Sequence, residues 1–146
     1  MMIALIQRVT RASVAIEGTE VGAIGRGILA LVGIAAADGA AQRDRLLEKV
    51  LAYRIFPDDA GKMNLNLRQI DGGLLLVPQF TLLADTSTGT RPGFSGAGSP
   101  GEARAKFEEL VEHARATHPE VACGRFGADM QVTLTNDGPV TFWLQV

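Results

Sequence analysis

The chain has 146 residues, of which 47% are hydrophobic and 21% are charged, and its formal net charge at pH 7 is −2. This length fits one domain, residues 1–146, with a sizeable buried core. The slightly acidic balance excludes a protein that coats many phosphates, since such proteins carry clustered Lys and Arg. It does not exclude a protein that grips a single nucleotide at the end of an RNA.

The sequence predicts no membrane partner and no secretory leader. The longest apolar stretch, residues 28–37, is too short to cross a bilayer. The N-terminus lacks the basic segment and the small-residue cleavage site of a signal peptide. The single cysteine, Cys123, excludes an internal disulfide and a multi-cysteine metal site. We therefore expect a cytoplasmic protein.

The first part of the chain predicts two strands followed by a helix. Residues 3–16 are rich in β-branched residues and alternate in polarity near their end, which is typical of a half-buried strand. Residues 28–32 form a continuous apolar run and predict a buried strand. Asp38 is a suitable N-cap for a helix that ends near Tyr53. The apolar stripe of that helix has helical spacing and consists of Leu46, Leu47, Val50 and Leu51.

Two more strands are predicted before the middle of the chain. A turn cluster at residues 57–61 precedes residues 63–67, where apolar and polar residues alternate. Residues 74–77 are all apolar and predict another buried strand. Pro78 should end or bend this strand, because proline has no N–H to donate to a sheet.

A long glycine-rich loop and a second helix come next. Residues 85–98 contain four glycines, and loops of this length in compact domains are usually functional or mobile. Ser99, Pro100 and Glu102 form the pattern of a helix start, with Ser99 as N-cap. The predicted buried stripe of this helix is Ala103, Phe107, Leu110, Val111 and Ala114.

The chain ends in two alternating segments, residues 130–134 and 140–146, separated by a predicted turn, Asn136-Asp137-Gly138-Pro139. Strands interrupted by two helices predict an α+β fold. We expect a single domain with a mainly antiparallel, barrel-like sheet as its core and both main helices packed on one side.

Familiar catalytic arrangements are mostly absent. The sequence has no glycine-rich phosphate loop. His113 and His118 lack metal-ligand spacing to a carboxylate or a cysteine pair, so we interpret both as solvent-facing. Cys123 fits a small buried residue better than a nucleophile. Three arginines are interpreted as solvated surface charges: Arg8, Arg11 and Arg91.

Two segments have unusual local composition, and each allows two interpretations. Thr81 follows Gln79 and Phe80 at the end of a predicted buried strand, where it is either an ordinary strand residue or part of a site. Gly138 and Pro139 either link two strands or present bare main-chain groups to a ligand. Spacing alone does not choose between these interpretations.

Taken together, five segments in this order resemble the D-aminoacyl-tRNA deacylases, and the resemblance covers nearly the whole chain. The first motif of that family reads Ser-Gln-Phe-Thr, whereas this chain has Pro78 in the first position. The five segments are Ala4-Leu5-Ile6-Gln7-Arg8-Val9, Gly61-Lys62-Met63-Asn64, Pro78-Gln79-Phe80-Thr81, Gly124-Arg125-Phe126-Gly127-Ala128 and Asn136-Asp137-Gly138-Pro139-Val140-Thr141.

The resemblance implies hydrolysis of the ester that joins a D-amino acid to the terminal adenosine of tRNA, and acceptance of glycyl-tRNA as well. It implies no cofactor and no metal. It also implies a homodimer with active sites at the subunit interface, where a cis Gly-Pro turn of one subunit reaches into the site of the other. The implied catalytic residues are Thr81, Gln79 and Phe80, and those implied for substrate binding and chiral selection are Gly138, Pro139 and Pro78.

The chemistry of such a site has two versions. Main-chain N–H groups near Phe80 and Thr81 would stabilise an oxyanion while a ribose hydroxyl of the substrate assists water. Alternatively, Thr81 attacks directly, although the sequence supplies no obvious base to activate it. A different class of function stays open, a non-catalytic module that binds an RNA end or a nucleotide. A further alternative is a hydrolase of small D-amino-acid esters or peptides.

Overall fold

The computed structural model describes all residues from Met1 to Val146. Helix α1 is Ala40–Ala52, helix α2 is Pro100–Thr117, and a short 3₁₀ helix covers Phe80–Leu83. The eight strands are β1 Ile3–Ile16, β2 Thr19–Ile24, β3 Gly27–Gly33, β4 Phe56–Pro57, β5 Met63–Leu65, β6 Gly73–Pro78, β7 Val121–Cys123 and β8 Gln131–Gln145. Neither helix combines the length and the apolar composition that a membrane span requires.

Six strands form one sheet in the order β2-β1-β3-β6-β7, and β8 pairs with the other side of β1. Strand β1 is antiparallel to β2, β3 and β8, whereas β3, β6 and β7 run parallel to one another. The sheet curls until β2 approaches β7, since a Cβ added to Gly22 would lie 2.9 Å from the Cys123 oxygen. The predicted α+β fold with a mainly antiparallel, barrel-like core is confirmed.

The protein buries apolar residues on both faces of this sheet. The larger cluster lies between the sheet and the two helices and includes Ile6, Ile28, Leu74, Leu51 and Phe107. The smaller cluster lies on the opposite, concave face: Val9, Ala12, Val14, Ile24, Leu29, Leu75 and Val77. Because β3 and β6 are covered on both faces, they have continuous apolar runs, as the sequence predicts.

Helix α2 begins as predicted. The Ser99 side chain accepts a hydrogen bond from the Glu102 N–H at 3.3 Å, and Pro100 is the first helical residue. Four of the five residues of its predicted stripe are buried, Ala103 being half-buried. All four stripe residues predicted for α1 are buried.

The predicted N-cap of α1 was wrong. Gly39 is the N-cap, and its N–H donates to Oε1 of Gln42 at 2.9 Å. Asp38 is buried instead, and its carboxylate accepts the Ala35 N–H at 2.7 Å and contacts the Met1 ammonium group at 2.8 Å. These two partners offset the free-energy cost of removing the Asp38 carboxylate from water.

Two strand predictions also need correction. The alternating pattern at residues 63–67 forms a strand only over Met63–Leu65, which pairs with β4 in a separate two-stranded sheet. Residues 136–139 do not separate two strands, because β8 continues through them and pairs with β1 on both sides. The register shifts between Gln7 and Arg11 show that the extra residues are accommodated as a bulge.

Two side chains are more buried than the sequence suggested, and one is less buried. His118 is only 4% exposed, and its Nε2 lies 2.7 Å from the Gly72 oxygen. Arg8 is largely buried because its guanidinium binds main-chain oxygens. Cys123 is half-buried rather than fully buried.

Candidate active site and family

The Gln-Phe-Thr segment begins where β6 ends. Pro78 is the last residue of β6, and the following Gln79 N–H donates to the Val32 oxygen of β3 at 2.8 Å. The chain then turns into the 3₁₀ helix directly against β3. Gly33 permits this approach, because a Cβ there would lie 3.3 Å from Leu82 Cβ and 3.4 Å from the Gln79 oxygen.

Two main-chain donors in this turn are unused. Neither Phe80 nor Thr81 donates its N–H to a main-chain oxygen, as is usual for the first residues of a helical turn. The Thr81 hydroxyl accepts a hydrogen bond from the Gln79 side-chain amide. It has no histidine or carboxylate as a hydrogen-bond partner. The segment therefore offers N–H donors but no general base for Thr81.

A cavity of about 660 Å³ opens beside this turn. Pro78, Gln79 and Phe80 line one side, and the Phe80 ring packs against Phe94 with the centroids 5.2 Å apart. The only charged lining residue is Asp129. Other lining residues come from the loop before α2, from α2 itself and from the segment between β7 and β8: Ala97, Gly98, Pro100, Ala103, Phe126, Gly127, Ala128 and Met130.

Gly124 brings the β7–β8 connection against Pro78. A Cβ on Gly124 would lie 2.7 Å from Met130 Sδ and 3.5 Å from Pro78 Cδ. The Gly124 N–H also donates to the Leu76 oxygen at 2.8 Å. The absence of a side chain at this position therefore shapes one wall of the cavity.

Gly138 and Pro139 lie in the bulge of β8, and the peptide bond between them is cis. Both residues are exposed. The Asn136 side chain closes the bulge, because its Oδ1 accepts the Val140 N–H at 2.7 Å and its Nδ2 donates to Thr141 Oγ1 at 2.9 Å. The bulge is thus held by hydrogen bonds within residues 136–141.

Arg8 fixes the bulge to the rest of the protein. Its Nε donates to the Asp137 oxygen at 2.8 Å and its Nη1 donates to the Ile55 oxygen at 2.7 Å. The Asp137 carboxylate lies 3.6 Å from Arg8 Nε. One guanidinium therefore joins β1, the bulge and the segment after α1.

The structure does not bring the two segments together within one chain. Gln79 binds Val32, which pairs with Ala4 of β1, whereas the bulge lies opposite Arg8. The four residue steps from Ala4 to Arg8 span about 14 Å along the strand. Pro78, Gln79, Phe80 and Thr81 therefore form one group, and Gly138 with Pro139 forms another.

Sequence reasoning missed four residues of these groups: Arg8, Phe94, Phe126 and Asn136. A detectable signal existed only for Asn136, since an asparagine at the start of a Gly-Pro turn commonly bonds to nearby main chain. The aromatic residues are far apart in sequence, and only the fold joins them around the cavity.

The loop that carries Phe94 closes on itself through Asp85. Main-chain bonds join Asp85 and Gly93 in both directions, at 2.7 and 3.0 Å. The Ser87 hydroxyl donates to the Asp85 carboxylate at 2.6 Å and the Ser87 N–H does so at 3.0 Å. These bonds lower the pKa of Asp85, with the hydroxyl as the larger cause. The structure contains no cluster of three or more residues that could hold a metal ion.

Comparisons with known proteins identify the family of this chain. A family model described as D-Tyr-tRNA(Tyr) deacylase matches residues 5–145. The D-aminoacyl-tRNA deacylase of Herminiimonas arsenicoxydans is 58% identical over 145 residues, which cover 99% of this chain and 97% of that protein. The enzyme of the same name from Ectopseudomonas mendocina (strain ymp) is 60% identical, and the match covers 97% and 98% of the two chains.

Solved structures share the fold. The structure of a c-Myc DNA unwinding element binding protein is 37% identical, with a TM-score of 0.94 over 99% of this chain and 98% of that one. A probable eukaryotic D-amino acid tRNA deacylase is 18% identical, with a TM-score of 0.76 over the full length of both chains, and supports the fold alone. Because the family model spans almost the whole chain and the relatives are more than half identical, the chain belongs to the D-Tyr-tRNA(Tyr) deacylase family of ester hydrolases.

Proposed function

We propose that the protein hydrolyses the ester bond of D-aminoacyl-tRNA in the cytoplasm, releasing free tRNA and the free D-amino acid. The observation that carries this proposal is the pair of unused N–H groups on Phe80 and Thr81 beside an aromatic-lined cavity. Curated relatives named D-aminoacyl-tRNA deacylase support the same activity.

The cavity suits the terminal adenosine of the tRNA 3′ end. Phe80, Phe94 and Phe126 offer aromatic faces for a base, and about 660 Å³ is enough for a nucleoside. The ester bond at the ribose would then lie near the rim formed by Gln79 and Phe80. This placement brings the reacting carbonyl within reach of the unused N–H groups.

The N–H groups of Phe80 and Thr81 stabilise the negative charge that develops on the carbonyl oxygen. An aminoacyl ester is already reactive, and the neighbouring ribose hydroxyl orients the attacking water. Thr81 does not act as the nucleophile, because no base contacts its hydroxyl. Pro78 is compatible with this mechanism. It replaces the serine of the family motif, but the mechanism uses only the N–H groups of Phe80 and Thr81, which are retained.

Chirality is selected by main-chain groups of Gly138 and Pro139. Their carbonyl oxygens bind the α-amino group of a D-residue, and an L side chain collides with the bulge. Hydrogen bonds with Arg8 and Asn136 hold the bulge in place, so it does not move to accommodate an L side chain. Glycyl-tRNA is also a substrate on this account, because glycine has no side chain to collide.

The bulge acts on the active site of a partner subunit in a homodimer. The separation of about 14 Å along β1 leaves the bulge outside the site of its own chain. Strand β8 pairs only with β1, so its outer edge is unpaired along 15 residues, and Trp143 on this strand is 50% exposed. A long unpaired edge with an exposed aromatic residue favours a covering partner.

The activity is tested with purified protein and tRNA charged with D-tyrosine or L-tyrosine. We expect release of D-tyrosine well above the spontaneous rate and little release of L-tyrosine. Equal rates for both enantiomers would contradict the proposed selection. Protection of the D-ester instead of release would support the alternative, a non-catalytic module that binds the RNA end.

The arrangement in trans is tested by mixing Phe80→Pro, which lacks one N–H donor and should be inactive, with Gly138→Ala, which disturbs the bulge and should lose chiral selection. A mixed dimer contains one site in which both elements are intact only if the bulge serves its partner. After subunit exchange, the ratio of D-tyrosyl-tRNA to L-tyrosyl-tRNA hydrolysis should therefore rise above that of Gly138→Ala alone. If this ratio does not change, the bulge does not act in trans.

A further inference from the structure

We infer that Arg104 and Arg125, here called the rim arginines, bind the phosphate backbone of the RNA strand whose terminal nucleoside enters the cavity. This inference rests on the proposed function and adds the contact that recognises the strand beyond its last nucleoside. It concerns sequence-independent binding, because phosphates carry no base identity.

The composition of the cavity keeps phosphates outside it. The lining contains no Lys or Arg, and its one charged residue, Asp129, is acidic. A phosphate inside would be unpaired and would face this carboxylate, which costs free energy. The nucleoside therefore enters, while the phosphodiester that follows it stays at the rim.

The rim arginines flank Phe126, a lining residue. The Arg104 guanidinium lies over the Phe126 ring, 5.9 Å from the centroid. A Cβ on Gly127 would lie 3.3 Å from Arg104 Nη2, so the guanidinium is also close to the next lining residue. Arg125 directly precedes Phe126 in the β7–β8 connection, and both arginines are exposed.

Neither rim arginine is neutralised by the protein. The ion pairs of the chain involve Arg8, Arg43, Arg68, His113 and the Met1 ammonium group, and none includes Arg104 or Arg125. The aromatic contact orients Arg104 without using its N–H donors. The Arg104 guanidinium beside a lining residue, with the exposed Arg125 next to that residue in the chain, matches the chemistry of phosphodiester oxygens at the rim of a nucleoside-sized cavity.

The inference is tested with a dye-labelled RNA oligonucleotide that ends in CCA and carries no amino acid. Its binding is measured by fluorescence anisotropy between about 50 and 200 mM salt. Each lost contact to a single strand should reduce the slope of log K against log salt by about 0.7, so Arg104→Gln/Arg125→Gln should lose about 1.4. The matched control is Arg45→Gln/Lys49→Gln, which removes two exposed, unpaired charges from α1, and its slope should equal that of the unmodified protein.

Turnover gives a second readout. The rim double variant should have a higher KM for D-tyrosyl-tRNA with unchanged kcat, and unchanged rates with D-tyrosyl-adenosine, which has no phosphate. An unaltered salt slope, or equal slope losses in the rim and control variants, would overturn the inference. Binding of RNA without an amino acid does not depend on hydrolysis. A protein that binds this RNA as expected but hydrolyses no D-ester would therefore contradict the proposed function and still support this inference.

Discussion

The Arg8 guanidinium donates to the main-chain oxygen of Asp137 at 2.8 Å, across 129 positions of sequence. The residue it fixes directly precedes Gly138 and Pro139, so a side chain in the first strand determines the position of a segment near the C-terminus. The same guanidinium also satisfies the Ile55 oxygen. Three predictions concern this bulge and the turn after β6, and a fourth concerns the loop closed by Asp85 and Gly93.

Arg8→Met should destabilise the protein and weaken chiral selection. The change leaves the carbonyl oxygens of Asp137 and buried Ile55 without this donor, which costs about 1–3 kcal/mol of the free energy of unfolding. The ratio of D-tyrosyl-tRNA to L-tyrosyl-tRNA hydrolysis should fall, because the bulge is no longer anchored. Denaturant unfolding and the two hydrolysis rates are the measurements. Arg11→Met is the control, since Arg11 lies exposed on the same strand, and equal effects from both changes would contradict the assignment.

Gly138→Ala should disrupt the bulge. Gly138 has a φ of 148°, and an added Cβ would lie 2.6 Å from Val140 Cγ2 and 2.8 Å from the Val140 nitrogen. The strain should cost about 1–3 kcal/mol of stability and reduce the preference for D-esters. Gly25→Ala is the control, because nothing lies within 4 Å of a Cβ there. A Gly138→Ala protein with unaltered stability and selectivity would show that the bulge tolerates a side chain.

Thr81→Val should retain hydrolysis of D-tyrosyl-tRNA within about tenfold, because the N–H donor of residue 81 is kept and only the hydroxyl is lost. A nucleophilic Thr81 predicts a loss of about a thousandfold or more in kcat. Single-turnover rates of Thr81→Val and Thr81→Ser distinguish these outcomes. A collapse of the rate in the valine variant with recovery in the serine variant would establish the hydroxyl as the attacking group.

Ser87→Ala should raise the pKa of Asp85 toward its ordinary value, because the Ser87 hydroxyl is the larger cause of its lowering. A carboxylate whose folded-state pKa is lowered stabilises the fold above its unfolded-state pKa, about 3.9, and loses this contribution as the pH falls through the folded value. The loop closed by Asp85 and Gly93 should therefore loosen at acidic pH in the unmodified protein. Carbon-13 NMR titration of the carboxyl groups measures the shift, and Ser95→Ala should leave the Asp85 titration unchanged.

Local patterns predicted most of the elements correctly. Ser99 capped its helix, Pro78 ended its strand, and both apolar stripes faced the core, because each of these outcomes depends on residues within one or two turns of chain. Asp38 was wrongly predicted as the N-cap of α1. In the fold its carboxylate is buried and binds the Ala35 N–H and the Met1 ammonium group, so it does not cap the helix.

The bulge shows where local reading failed. Asn136-Asp137-Gly138-Pro139 has the composition of a turn, but β1 is long enough to pair with both flanking segments and keeps β8 continuous. His118 and Arg8 were predicted at the surface because their residue types are polar. In the fold each side chain forms a hydrogen bond with a main-chain oxygen far away in sequence, that of Gly72 for His118 and that of Asp137 for Arg8.

The sequence by itself determined both helices, strands β1, β3 and β6, and the five short segments by which the chain resembles its family, since these features depend on neighbouring residues. The tertiary structure alone decided that Phe80, Phe94 and Phe126 share one cavity and that Gly138 lies away from it in its own chain. Parallel pairing of β6 with β7 places the segments of Phe80 and Phe126 at one edge of the sheet, and pairing of β1 with β3 and β8 sets the distance to Gly138. Sheet register thus sets distances between residues that have no local connection.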